Sequence, residues 1–520
     1  MKLVIVHYHL RPGGIRRVIE LAAPHIVRAF DGEITTITLA SGAQPDRIWR
    51  EILERACHSA AVEYFIEPAF GYFSEQRQSP ARLRRRIRRA LNQLLNSAAN
   101  DIIVWAHNLG LARNLILTRE LARACEARGL PLLAHHHDWW FDNRWQRWPE
   151  ARRAGFTSLE AIAQTILGPK HTRHLTINHA DAAVLKRHLP GRVNWLPNLA
   201  EPASPPPPAR TRVARDWLRR RLDHGAPVWL IPCRLLRRKN VAEALLLTRW
   251  LQPDAWLVTT GGVSSADEQA YFKKLDAAAR AHHWRLRLGV LAGDETRKPN
   301  VGELLAASEA VLLTSIQEGF GLPYLEATAA RRPLIARALP NIAPDLKKFG
   351  FRFPQYYEEL LVGTDLFDWK AERGRQRRLF RAWLDRLPAA ARMLASEPHL
   401  LAASRQPEAV PFSRLTLTAQ LHVLAHPVAH SWKICAPLNP FLKLWRERAG
   451  SGKLGVAHWP HRATRCLSGE HYGQHFLRAY QSAVRECGRQ SGAAGACQAD
   501  FIRQKLKPEF LYPLLWSSES

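Results

Sequence analysis

Glu318-Gly319-Phe320-Gly321-Leu322-Pro323-Tyr324-Leu325-Glu326 holds two glutamates eight positions apart across a glycine-rich turn. Just before it, Ala310 to Leu313 is an apolar run of the buried-strand type. Pro323 suits the first turn of a helix, where its missing N–H would have no partner anyway. Glu318 is therefore expected on a loop at a strand's carboxyl end, and Glu326 about one turn into the next helix. In open α/β sheets ligands bind in that crevice, and a helix N-terminus favours anionic groups such as phosphate. Two carboxylates there are poor phosphate ligands but good acceptors for sugar hydroxyls. The pattern points to a nucleotide-linked sugar. A glutamate pair alone at this spacing is common, and the Gly-Phe-Gly-Leu-Pro between the two makes this one specific.

Outward from this stretch, strand-like and helix-like segments alternate, the sign of parallel sheets with helical crossovers. In the first half the strands are Leu3–Val6, Ile34–Leu39, Asp101–Trp105, Leu130–Ala134, Leu175–Asn178 and Val193–Leu196. Pro202 to Pro208, with five prolines in seven positions, reads as a stiff extended linker. The alternation then restarts with Val228–Ile231, Trp256–Thr259, Arg285–Leu288, Ala310–Leu313 and Leu334–Ala336. Two such halves make a cleft between domains, a common place for a small-molecule site. Beyond about residue 370 the pattern turns helical and rich in arginine, leucine and alanine, without repeats.

The glutamate segment resembles the E-x7-E motif of retaining GT-B glycosyltransferases, the family 4 or group 1 type. The resemblance covers roughly residues 1 to 365 plus a crossing helix, for which Leu415–Leu424 is the candidate. It implies that Glu326 holds the nucleotide ribose and that Glu318 contacts the donor sugar, with Gly319, Phe320, Gly321 and Leu322 beside the donor.

A second constellation is Cys233-Arg234-Leu235-Leu236-Arg237-Arg238-Lys239-Asn240, directly after the strand ending at Pro232. Cations at a strand's carboxyl end, followed by a helix starting near Asn240, are suited to a pyrophosphate. A solvated basic loop is the plainer alternative. In the family, the pattern is Gly-Arg-Leu and then Lys-Asn or Lys-Gly, so the resemblance puts Arg234 and Lys239 on the two diphosphate-binding positions. Cys233 stands where that pattern has glycine. Metal-dependent sugar transferases of the other main fold hold their cation with Asp-x-Asp, and here no two aspartates are two residues apart. Arg234, Lys239 and the helix dipole would instead stabilise the leaving diphosphate, so no metal and no cofactor are expected.

Gly13-Gly14 follows the first strand and precedes a helical pattern from Ile15 to Ala29. Missing side chains let a ligand approach the backbone. Taken alone, such a pair is most simply a turn. The family carries a matching Gly-Gly loop near the donor phosphate and the acceptor.

Histidines and tryptophans cluster between 105 and 148. His107 ends one strand, and His135-His136-His137-Asp138 ends the next. Alternation puts His135 and His137 on one face and His136 on the other. A metal site would want more converging ligands than these, so His107 is read as a catalytic-side group orienting the donor, and His137, Asp138 and Trp139 as acceptor-binding. Trp139, Trp140, Trp145 and Trp148 can stack on sugar rings or equally form core.

The 520 residues suffice for two or three domains with a sizeable core. A formal net charge of +29 implies either attraction to polyanions or an arginine-rich composition without a partner, and the even scatter of arginine leaves both open. Arg82 to Arg89 carries six arginines in eight positions, with Leu83, Ile87, Leu91, Leu94 and Leu95 on one face. Residues 82–95 thus read as a basic amphipathic helix, either lying on an anionic membrane surface or burying its apolar face in the domain. Cys57, Cys125, Cys233, Cys435, Cys466, Cys487 and Cys497 are scattered and form no C-x-x-C pair, against a disulfide framework or zinc ribbon. No signal peptide or spanning helix is evident, which fits the cytoplasm, with membrane contact limited to the inner surface. RNP, helix-turn-helix and zinc signatures are absent, so nucleic acid is not expected as a partner.

The expected protein is α/β of GT-B type: two Rossmann-like domains facing across a cleft, with a mainly helical C-terminal extension. Residues 1–200 form the acceptor domain, 201–212 the linker, 213–370 the nucleotide-sugar domain, and 371–520 the extension. The implied activity is a retaining, metal-independent hexosyltransferase. It moves a sugar from a UDP-, GDP- or ADP-linked donor to an acceptor hydroxyl by front-face attack. The alternatives are a polyanion-binding protein on the same scaffold, or a hydrolase, epimerase or phosphorylase.

Overall fold

The computed structural model describes residues 1–96, 101–145, 147–202, 204–223, 225–263, 265–293, 298–486 and 493–516. The described residues fall into two compact units. The first comprises Met1–Glu201 with Arg386–Ala395 and Arg465–Leu506, and the second the remainder. The 371–520 stretch, expected as one extension, is thus divided between them. Ala203 of the linker, Cys487, and the chain end from 517 onward lie outside the described residues.

The first unit is built on a parallel sheet of β1 (Lys2–Val6), β2 (Thr36–Ser41), β3 (Ala61–Ile66), β4 (Ile102–His107), β5 (Leu132–His136), β6 (Thr172–Thr176) and β7 (Val193–Trp195). The spatial order is β3-β2-β1-β4-β5-β6-β7. Val4, Ile5, Ile103, Val104 and Leu133 are 0–1% exposed, so these strands are covered on both faces. That is why they read as continuous apolar runs rather than alternating ones. Strand β3 escaped the sequence reading because it is a half-exposed edge whose AVEYFI mixes Glu63 and Tyr64 into the run.

The second unit repeats the plan with β8 (Val228–Ile231), β9 (Trp256–Thr259), β10 (Leu286–Arg287), β11 (Ala310–Leu313), β12 (Leu334–Arg337) and β13 (Gln355–Tyr357). Their order is β10-β9-β8-β11-β12-β13, again all parallel. Both sheets have the doubly wound order in which chain direction across the sheet reverses once. The crevice at that reversal lies beside β1 and β4 in one sheet and beside β8 and β11 in the other.

The helix that returns to the first unit is not Leu415–Leu424. The helix Leu417–Ala425 is apolar on most sides, packs against Val241–Leu251 and Gln269–Ala281 in the second unit, and reaches Asn240 Oδ1 through Gln420 Nε2 (3.2 Å). The returning element is Gly469–Glu486, packed along Gly14–Ala29. Its Tyr472, Phe476, Ala479 and Ala483 form one stripe in the core with Ile19, Ala23, Ile26 and Phe30. Gly473 lets the two backbones approach, since a Cβ there would stand 2.4 Å from the His25 carbonyl oxygen, and Gly469 makes room for the His25 imidazole.

The basic helix, Pro80–Leu94, is an ordinary domain helix. Leu83, Ile87, Leu91 and Leu94 are buried, and the helix packs on Leu115–Glu126. Arg88 pairs with Glu120 (2.5 Å) and Arg86 with Glu67 (2.7 Å). No described helix is long and apolar enough to cross a membrane. The six cysteines among the described residues are free thiols.

Candidate active site

Two loops meet at the carboxyl ends of β8 and β11. The first runs from Pro232 to Asn240, where Asn240 takes a left-handed conformation (φ 48°) before the helix Val241–Leu251. The second runs from Thr314 to Gly321, also left-handed (φ 80°), before the helix Leu322–Ala329. A Cβ on Gly321 would stand 2.6 Å from the Tyr324 ring, so both conformation and space require glycine there.

The loops are stitched by backbone and side chain alike. Ile316 N donates to the Arg238 carbonyl (2.8 Å), and Arg238 Nη1 donates to the Gln317 carbonyl (2.8 Å). Thr314 Oγ1 donates to the carbonyls of Lys239 and Asn240 (3.1 and 3.0 Å). Asn341 Nδ2 donates to the Glu318 carbonyl (2.8 Å).

At the centre of this junction sits Glu318, 9% exposed. Its carboxylate pairs with Lys239 Nζ and with Arg238 Nη1 (2.8 Å), and accepts from Ser315 Oγ (2.7 Å). Burial alone would raise its pKa. Arg238 and Lys239, aided by hydrogen bonds from Lys239 and Ser315, more than reverse this and hold it at about 2. Glu318 is thus a carboxylate at neutral pH and cannot serve as a proton donor. Lys239, expected to face a phosphate, is buried against Glu318. Arg234 and Glu326 are exposed, Gly319 and Leu322 are half-buried and Phe320 is buried. Arg237 pairs with Glu268 (3.3 Å). Arg238, Ser315 and Asn341 escaped the sequence reading. Their partners lie far along the chain, and only the β8–β11 neighbourhood brings them together.

Cys233, where the family pattern has glycine, is buried, and burial pushes its thiol up to about 11. The loop accommodates it because glycine stands opposite. Gly261 N donates to the Cys233 carbonyl (2.8 Å), and a Cβ on Gly261 would stand 3.1 Å from Arg234 Cα.

Beneath the loops lies a buried ion pair the sequence did not announce. Arg337 Nη2 holds both oxygens of Glu243 (2.5 and 2.6 Å), which also accepts from Tyr357 Oη (2.5 Å). Arg337 also pairs with Glu359, itself paired with Arg414 (3.4 Å). Glu243 in turn accepts from Asn240 Nδ2 (2.9 Å), which ties the network to the end of the cationic loop. A cavity of about 1450 Å³ opens beside this network, lined in part by Arg337, Glu359, Arg414, Lys347, Tyr356 and Tyr512. Neither Arg234, Lys239, Glu318 nor Glu326 lines it, so cavity size does not mark the chemistry.

In the first unit, the reversal between β1 and β4 gathers His7, His107 and the Gly13-Gly14 loop. The helix Gly14–Ala29 opens with no side-chain cap and no acid in its first turn. Gly13 is extended, and a Cβ on Gly14 would meet nothing within 4 Å, so neither packing nor conformation demands glycine at this pair. His107 Nδ1 and His137 Nε2 share a hydrogen bond (3.1 Å). Burial lowers the pKa of both well below the usual value, with neighbouring histidines adding to the effect, so both are neutral. His135 is likewise lowered by burial to about 3. The Leu196 backbone offsets part of this from beside the ring, outside hydrogen-bond geometry. Asn108 Oδ1 accepts from the backbone N–H groups of His137 (2.9 Å) and Asp138 (3.1 Å), fixing this turn. Asp138 pairs with Arg144 (3.1 Å).

Trp139 is core, not a sugar platform. Its ring is 1% exposed, stacks on His136 (4.4 Å) and Phe141 (5.5 Å), and meets Phe501. Its Nε1 donates to Asp181 Oδ2 (2.9 Å). Trp140 and Trp145 are buried as well.

The family pattern described as glycosyl transferases group 1 matches residues 219–351, which contain both loops of the second-unit site. Mannosylglucosyl-3-phosphoglycerate synthase of Petrotoga mobilis (strain DSM 10674 / SJ95) is 25% identical over 372 residues, 69% of this chain and 69% of that protein. Mannosylglucosylglycerate synthase of the same strain is 21% identical over 285 residues, 50% of this chain and 64% of that protein. Among solved structures, sucrose-phosphate synthase from Thermosynechococcus elongatus matches with a TM-score of 0.50 at 13% identity. The match covers 92% of this chain and 99% of that one, and speaks to fold alone. With two doubly wound parallel sheets, the fold is GT-B, and residues 219–351 match the group 1 glycosyl transferases.

Proposed function

We propose that this enzyme transfers a hexosyl group from a nucleoside diphosphate sugar to an acceptor hydroxyl with retention of configuration. The observation that carries the reading is the cationic junction at the β8–β11 reversal. Arg234, Arg238 and Lys239 outnumber Glu318 in these two loops, a cationic excess suited to the two negative charges of a diphosphate diester. Cations already tethered by Glu318 and by loop carbonyls need little reorganisation as charge develops on the leaving group. Glu326, exposed one turn into its helix, suits the ribose hydroxyls. The departing diphosphate would receive the acceptor proton, since the Glu318 carboxylate, committed to Lys239 and Arg238 and held at about 2, is too weak a base to take it. No metal is needed at the diphosphate.

The acceptor side falls to His107, His137 and Asp138 in the first unit, with the open Gly13-Gly14 loop and uncapped helix admitting an anionic group. The names of the Petrotoga synthases favour a small glycosylated glycerate or phosphoglycerate acceptor. A basic protein would attract such an anion. A cytoplasmic setting is consistent with the free thiols. Any contact of residues 82–95 with an anionic membrane would use arginines alone, because the apolar face is already packed.

The test is thermal stabilisation by UDP-, GDP- and ADP-sugars with EDTA present, in the wild type and in Glu326→Ala. A shift with one nucleotide class, lost in the variant, is the expected result. No shift with any donor, together with a salt-sensitive shift on RNA, would overturn the reading in favour of polyanion binding. Donor turnover without acceptor would point to a hydrolase instead.

A further inference from the structure

We infer that His107, His135 and His137 form a binding site for a first-row transition-metal dication, zinc foremost. Sequence alternation alone supplied two histidines on one face, His135 and His137, too few to hold an ion. The register supplies the third: β4 and β5 pair with His107 directly opposite His135. A residue, its i+2 neighbour and a cross-strand partner share one face of a sheet and converge.

The distances suit an ion. One ring nitrogen from each of the three lies within 4.8 Å of the others. His107 Nδ1 and His137 Nε2 are 3.1 Å apart. Two nitrogens sharing a tetrahedral zinc at about 2.0–2.1 Å stand roughly 3.3 Å apart, so this pair is close to ligand spacing. His135 needs only a side-chain adjustment to join them.

Hydrogen bonding leaves the cluster unsatisfied. His107 Nε2 and both ring nitrogens of His135 are buried without a hydrogen-bond partner. Both residues are 0% exposed. Each buried polar atom without a partner needs an explanation, and an ion held by the three clustered rings would supply one. Imidazole donors select zinc, copper or nickel over magnesium and calcium, which take oxygen ligands. Three protein donors also leave a fourth position for water or substrate. This ion is distinct from one at the diphosphate, whose cations all belong to the second unit.

The experiment uses full-length protein stripped by chelator and titrated with Co2+. One equivalent should bind per chain with the intense visible bands of a tetrahedral, nitrogen-ligated ion, and Zn2+ should displace it. His135→Ala should weaken binding by about a hundredfold or more, while His174→Ala, at a buried histidine outside the trio, should keep both stoichiometry and spectrum. A wild-type spectrum that is weak and octahedral, or equal binding by His135→Ala, would overturn the inference. Should His135→Ala fail to fold by circular dichroism, the wild-type spectrum decides. Nucleotide-sugar shifts on the same stripped protein keep the two proposals separate: a donor shift without cobalt binding sinks only the metal site.

Discussion

Glu318→Gln removes a buried negative charge while keeping the side chain's shape, and so isolates what the charge does. In the wild type the carboxyl is held at about 2 against an ordinary 4.5. At about 1.4 kcal/mol per pKa unit, that difference corresponds to roughly 3 kcal/mol of folded-state stability at pH 7. With 8% of the side chain exposed, solvent screening discounts little. A carboxyl with a depressed folded pKa stabilises fully above its unfolded value and loses that contribution as pH falls through the folded value. The wild-type advantage over Glu318→Gln should therefore be about 3 kcal/mol at pH 7 and shrink to less than half of that at pH 3. Scanning calorimetry is the assay, because a two-unit chain need not unfold in one step and only the second unit's transition should move. The expected drop is roughly 6–12 °C at pH 7. A drop under about 2 °C, or a gap that stays constant between pH 7 and pH 3, would refute the reasoning.

Other substitutions probe separate links. Glu326→Ala, at an exposed position, should change stability by less than about 0.5 kcal/mol yet lose the donor-induced thermal shift, so a normal shift would remove Glu326 from the site. Gly473→Ala places a Cβ 2.4 Å from the His25 carbonyl oxygen and 3.0 Å from the Ala29 Cβ, and should cost about 1–3 kcal/mol in urea unfolding of the first unit. Gly495→Ala is its control: the atoms nearest the added Cβ all belong to the Glu160 carboxylate, which can turn away, so little change is expected. Arg337→Met strands Glu243 in the core and should cost about 3–5 kcal/mol, whereas the double change with Glu243→Leu should recover much of that loss on calorimetry.

What the sequence disclosed was local. Apolar runs located most strands because buried parallel strands carry uninterrupted apolar side chains, and Pro323 with the glycines located the turn into the helix carrying Glu326. What it withheld depends on register and on competition for surfaces. The Glu318–Arg238 contact spans 80 positions and exists because β8 and β11 are neighbours, which no spacing rule states. His107 meets His135 for the same kind of reason. Leu415–Leu424 and Gly469–Glu486 both offer apolar stripes, and Gly473 admits the backbone at His25 while Gly469 makes room for its ring. Aromatic composition is the same in core and sugar platform, so it does not place Trp139. The Asp181 acceptor for its Nε1, 42 positions away, is what makes it core.

The two sheets meet the same problem with opposite chemistry. At each reversal the crevice is framed by strand ends buried on both faces, where an unpaired charge is costly. In the second unit the charges are kept because they are paired: Lys239 and Arg238 against Glu318 in the loops, and Arg337 against Glu243 beneath them. Truncating Glu318 would leave buried Lys239 without its carboxylate, and truncating Glu243 would leave Arg337 with Glu359 alone, so these pairs act as a fixed frame for the more exposed Arg234 and Glu326. In the first unit no acid faces His107 or His135 directly among the described contacts, and burial therefore leaves their imidazoles neutral. A frame of paired charges can stabilise an anion that arrives with its own charge. Neutral imidazoles cannot do this, but they can take or pass a proton or bind a cation. The division of labour proposed for the enzyme, diphosphate in one unit and acceptor hydroxyl in the other, follows from that difference in charge state.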